Sequence, residues 1–131
     1  MRLAEKAEVI SLTNYTSLDA ICKGQGTRQD CISLIHAVNL AEALVLADIG
    51  ADYKDAVRAG SNAVQALSKR GIQTGKWVLK GEEMQAIRTM LEIHEAQLDV
   101  ASVIDIEKAT ARVTKEVMAG RAVNVYAEAM Q

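Results

Sequence analysis

Residues 31–49 constrain the fold more than any other stretch of the chain. Of these 19 residues only Ser33, His36, Asn39, Glu42 and Asp48 are polar. At about 100° per residue the apolar positions cover most of a helix surface. A helix that is apolar on nearly all sides is enclosed by other helices. Its length and its polar interruptions argue against a membrane span, which takes about 20 predominantly apolar residues. Thr27 followed three residues later by Asp30 resembles a capping box, with Asp in place of Glu. The expectation is a central core helix over 27–49, with Gly50 in the position just past its end.

What packs around it is helical. The chain of 131 residues is one domain by length and contains neither proline nor phenylalanine. Its core must come from Ala, Leu, Val, Ile and Met, with one Trp and three Tyr. Ala and Leu are strong helix formers, and the commonest helix breaker is missing. The fold class is therefore all-α: a bundle of four to five helices around 27–49, as a single domain over 1–131. The two ends, 1–12 and 121–131, are the segments least tied to the core. A net charge of −2 argues against a nucleic-acid-binding domain, which usually carries a basic balance. No apolar leader precedes Glu5 and Glu8, so a cytoplasmic location is expected, with Cys22 and Cys31 as reduced, buried thiols.

Read in order, residues 1–12 suggest a short amphipathic helix, and Thr13 or Thr16 a cap for a second one running to Lys23. Gly24 and Gly26 supply a turn. After the central helix comes one over about 51–70, with Tyr53, Ala56, Val57, Ala63, Val64 and Leu67 as its inner stripe. Gly60 interrupts that helix at a close helix contact or a kink, and Gly71 ends it. Residues 72–81 form the one substantial connection and hold the sole tryptophan. From Glu82 onward, Met84, Ile87, Leu91, His94, Leu98 and Ala101 step by three or four, the spacing of a buried seam. Ser102 and Asp105 repeat the capping-box spacing, which favours two helices, or one bent helix, over an unbroken one in 82–118. The second part would bury Ile106, Ala109, Val113 and Val117, with Gly120 as its stop.

The candidate chemistry is thin. Glu92 and His94 are two residues apart, about 200° around a helix, and cannot chelate a metal from one face. His36 and His94 on neighbouring helices are better read as polar groups that fix register, so no metal is expected. Thr74-Gly75-Lys76 echoes a phosphate loop, but Trp77 stands where the hydroxyl belongs, and no strand precedes it. No Ser, Cys or Lys stands beside a His or acid at a nucleophile's spacing, and no cofactor or catalytic residue is assigned. The best surface for a partner is the locally basic stretch 69–88. There Arg70, Lys76, Trp77 and Lys80 form the candidate contact set, since Trp and Arg dominate interface energetics. The same stretch has two other readings: DNA contact by a small regulator, or a Trp77 that simply seals the end of the bundle while the lysines are solvated.

The runs GQGTRQD, NLAEAL, IGADYKDAVRAGSNAVQAL, RGIQTGKWVLKGEEMQAI and MLEIHEAQLDVASVIDIEKA follow one another over about residues 20–118. In that order they resemble a group of small helical proteins of proteobacterial prophages and mobile elements, sometimes labelled transcriptional regulators. The resemblance implies a genomic context and no catalytic residue. The function expected is that of a non-enzymatic interaction protein. It would bind a host or phage protein, perform a task such as modulating host defence, and form a homodimer through the apolar seam of 82–118.

Overall fold

The computed structural model describes residues 3–120, which form five α-helices and no strand. These are α1 (Leu3–Cys22), α2 (Arg28–Leu46), α3 (Lys54–Thr74), α4 (Gly81–Val100) and α5 (Val103–Met118). A single 3₁₀ turn, Ala51–Tyr53, leads into α3. The tail 121–131 lies outside the described residues. Helices α1 to α4 close a ring of contacts: α1 on α2, α2 on α3, α3 on α4, and α4 back on α1. The short connections suit consecutive antiparallel neighbours. Helix α2 also touches α4 across the ring and carries α5 on its outer side. It thus packs on the four other helices, as its nearly all-round apolar surface requires.

Leu34, Val38 and Ala41 of α2 are fully buried, and Leu18, Val64, Leu67, Ile87, Met90 and Leu91 close around them. Each fully buried aliphatic side chain of this size contributes about 1.5–3 kcal/mol relative to exposure. A smaller cluster, Ala43, Leu44, Ala101 and Ala109, lies between α2 and α5. By length and apolar content alone, Arg28–Leu46 does suffice to cross a membrane, contrary to the expectation that its polar residues disqualify it. In this fold ten of its residues are buried among the other helices.

The helix ends follow the local chemistry. Thr27 Oγ1 accepts from the Asp30 N–H, and Asp30 Oδ2 accepts from the Thr27 N–H, at 3.3 and 2.9 Å. Ser102 and Asp105 repeat the arrangement at α5, so 82–118 is two helices. The far end of α2 differs from expectation. The helix stops at Leu46, and the left-handed residue is Asp48 (φ 65°), followed by Gly50 (φ 79°). The Asp48 N–H donates to Val45 O and the Ile49 N–H to Leu44 O, while Ile49 packs on the cluster that contains Leu44. This is the paired bonding and apolar contact of a Schellman end, reached two residues before Gly50 because Asp tolerates the left-handed conformation.

Three further boundaries are corrected. Residues 3–22 are one helix, since the Thr13 hydroxyl donates to Val9 O one turn back and caps nothing. Helix α3 runs through Gly71 to Thr74, and Tyr53 belongs to the 3₁₀ turn, 59% exposed and off the inner stripe. Along α5, Ala109 is buried, while Ile106, Val113 and Val117 are half-buried. Gly60 marks a close helix contact: a Cβ there would collide with the Met90 side chain of α4.

Candidate functional site

The sequence-predicted contact set lies where α3 hands over to α4. Arg70, in the penultimate turn of α3, reaches across to Glu83 in the first turn of α4. Its two terminal nitrogens donate to the two carboxylate oxygens at 3.0 Å each, and Nη1 also donates to Val78 O at 2.6 Å. Glu83 Oε1 further accepts the Lys80 N–H at 2.7 Å. Burial alone would raise the Glu83 carboxyl; the bonds from Arg70 and Lys80 outweigh it and hold the group below the usual carboxylate range. Arg70 is therefore committed to closing the connection. Trp77 lies half-buried on α3, with its ring where a Cβ at Gly71 would stand. Its carbonyl oxygen approaches Gly26, where a Cβ would come within 2.7 Å. The two loops meet at this end of the bundle, and Trp77 seals it. Lys76 and Lys80 are exposed, as are Lys69 and Arg88. Of the four residues grouped from sequence, two are structural and two face solvent.

The Thr-Gly-Lys echo finds no phosphate site. Gly75 (φ 74°) ends α3, and the Thr74 hydroxyl accepts the Lys76 N–H at 3.1 Å. A helix C-terminus presents carbonyls and the negative end of the dipole, the opposite of what a phosphate needs.

The histidines do come together. His94 on α4 is buried and His36 on α2 is exposed, and both line one cavity of about 280 Å³ walled by α1, α2 and α4. Among the described residues no three His, Cys, Asp or Glu side chains gather as a metal would require. Cys22 and Cys31 are free thiols; Cys31 is buried, while half-buried Cys22 packs its sulfur 3.2 Å from Met84 Sδ. Between α1 and α4, an acidic groove holds Glu8, Leu12, Tyr15, Glu95 and Asp99. The Tyr15 phenol there is pushed up to about 12, first by burial and then by Glu95 and Glu92, against a smaller opposing pull from Arg88.

A feature that sequence reading did not single out is an apolar ridge at the joint of α4 and α5. Val100, Val103 and Ile104 are 75%, 50% and 61% exposed. Beside it, Tyr53, Ile93, Ala96 and Val100 line a shallow groove of about 410 Å³. No protein-family model, no curated protein and no solved structure matches this chain. The signal for the ridge was present in the sequence: Val100, Val103 and Ile104 are large aliphatics that fall off the 84–101 seam and flank the Ser102 cap. Residues that can serve neither the seam nor the cap are left to the surface.

Proposed function

We propose that this chain is a non-enzymatic helical interaction protein that self-associates as a homodimer and binds a protein partner in the cytoplasm. A phage or mobile-element origin, with a task such as modulating host defence, is part of the same reading and rests on the sequence resemblance. The observation that supports it is the exposed ridge of Val100, Val103 and Ile104, continuous along the chain with α5, a helix that packs on α2 and buries only Ala109 fully. Large aliphatics grouped on a surface mark contact sites more often than scattered ones do. The exposed lysines at the opposite loops, Lys76 and Lys80 beside Trp77, offer a second, polar surface for the partner.

The test is oligomeric mass by light scattering at tens of micromolar, followed by Val100→Lys and Ile104→Lys. A dimer that becomes a monomer in the variants, with unchanged helix content, is expected; a monomeric wild type would sink the reading. The small DNA-binding regulator is the second reading, favoured by the exposure of Lys69, Lys76, Lys80 and Arg88 on one stretch of chain. Salt-sensitive retention on DNA that disappears in Lys76→Glu/Lys80→Glu would put it first.

A further inference from the structure

Among the described residues two buried side-chain atoms lack a hydrogen-bond partner: Glu42 Oε1, which still has the Arg58 guanidinium 3.9 Å away, and His94 Nε2, which has no ion pair either. Gln97 Nε2 donates to both Ala41 O and Ile49 O, at 3.1 and 2.8 Å. Only the amide –NH₂ can serve two carbonyls, so Gln97 Oε1 is the group that faces His94 Nδ1 at 3.0 Å, and it can only accept. Nδ1 must therefore carry the proton, which makes Nε2 of the neutral ring a bare lone pair. That atom is buried and has no hydrogen-bond partner, in a side chain that is 1% exposed. Its Nδ1 edge is turned to Gln97, which lines the groove beside Tyr53. Yet the ring also forms part of the wall of the cavity between α1, α2 and α4. Of the ring that walls this cavity, Nε2 is the polar atom left without a partner.

We infer that this cavity binds a small, neutral, mostly apolar molecule with a single N–H or O–H donor, which hydrogen-bonds His94 Nε2 and lies against Val9, Ile10, Ala37 and Leu40. Three observations select that class. The buried group is an acceptor, so the ligand brings a donor. Val9, Ile10, Ala37 and Leu40 give the cavity an apolar side, with Thr13, Asn14, Ser33 and His36 completing the lining, and Val9 and Ile10 are 51% and 39% exposed, so an apolar body would cover surface the fold leaves to solvent. The position next to a neutral, desolvated ring disfavours a charged ligand, whose hydration would be lost without an opposite charge to replace it. Nε2 is screened from solvent, so the donor reaches it by shifting the side chains at the rim. The inference is independent of the self-association reading, since the cavity is lined by none of the ridge residues.

Indole, with one N–H, and 1-methylindole, of similar shape without it, are the probes. The full chain, labelled with ¹⁵N, is titrated with each while the imidazole nitrogens are followed by long-range ¹H–¹⁵N correlation. The free protein is expected to show His94 with its proton on Nδ1. Indole should then shift His94 Nε2 saturably, 1-methylindole should bind about tenfold more weakly, and Thr13→Trp, a change at the exposed rim, should abolish the indole shift while leaving the fold intact. A proton on Nε2 in the free chain, equal binding of the two probes, or His94 signals unmoved by indole up to its solubility would each overturn the inference.

Discussion

Among individual residues, His94 has the largest consequence for stability. Burial pushes its pKa below the ordinary value of 6.5, and the hydrogen bond with Gln97 only partly opposes this. The unfolded chain therefore takes up a proton at a higher pH than the folded one. Stability from this group is fully present above about 6.5 and declines as pH falls below it, until the folded pKa is reached. The slope is at most about 1.4 kcal/mol per pH unit. Urea midpoints at pH 7 and pH 5 should differ for the wild type and for exposed His36→Gln, and much less for His94→Gln. The paired Glu83, whose folded pKa is lowered, loses its contribution only in more acid solution, so it does not confuse that window. The buried seam of α4 was legible in the sequence because apolar residues repeat every three or four positions. Met90 and Gln97, which share that face, were not. Gln97 is polar, and what gives it a buried place is a pair of carbonyls at residues 41 and 49 that no local pattern reveals.

For whole elements, glycine positions separate what local chemistry decides from what packing decides. The caps at Thr27 and Ser102 were readable, since donor and acceptor sit within four residues of one another. The end of α3 was not. Gly71 looks like a stop, but it is an interior residue chosen to admit the Trp77 ring, and Gly75 is the true terminus. The set Arg70, Lys76, Trp77 and Lys80 was likewise visible as composition, whereas the diversion of Arg70 to Glu83 depends on how α3 and α4 meet. Gly71→Ala places a Cβ inside the indole and should destabilise the fold by about 1–3 kcal/mol, the usual range for overpacking. Displacement of the sole tryptophan should move its emission to longer wavelength. Gly81→Ala is the matched control: its Cβ would meet open space and its φ is ordinary, so a neutral effect or a gain of up to about 1 kcal/mol is expected. Equal effects of the two changes on the thermal midpoint would contradict the assignment of Gly71 to the Trp77 contact.

Taken as a whole, the molecule is a closed ring of four helices with a fifth laid on its outside. Helices in the ring each have at least two packed neighbours, whereas α5 relies on α2 and on a cluster of small side chains, Ala43, Ala101 and Ala109, around Leu44. Local opening is easiest where few apolar contacts hold an element. Hydrogen exchange in dilute protein should show α5 amides exchanging about tenfold or more faster than those in the middle of α2. Protection of α5 that rises with protein concentration would fit a ridge covered by a second copy. Uniform protection across all five helices would show α5 to be an integral part of the cooperative unit.

The Gln97 amide has a consequence for how the chain matures. It holds Ala41 and Ile49, 56 and 48 residues earlier in the sequence. Synthesis proceeds from the N-terminus at about 5–20 residues per second, so the Ala41 and Ile49 carbonyls wait several seconds for the amide that binds both. A chain halted before residue 97 carries a central helix closed at both ends by local bonds but lacks the side chain that ties its far end to α4. The four-helix ring thus has a natural completion point late in α4, and a truncation set placed on either side of residue 97 is where protease resistance should first appear.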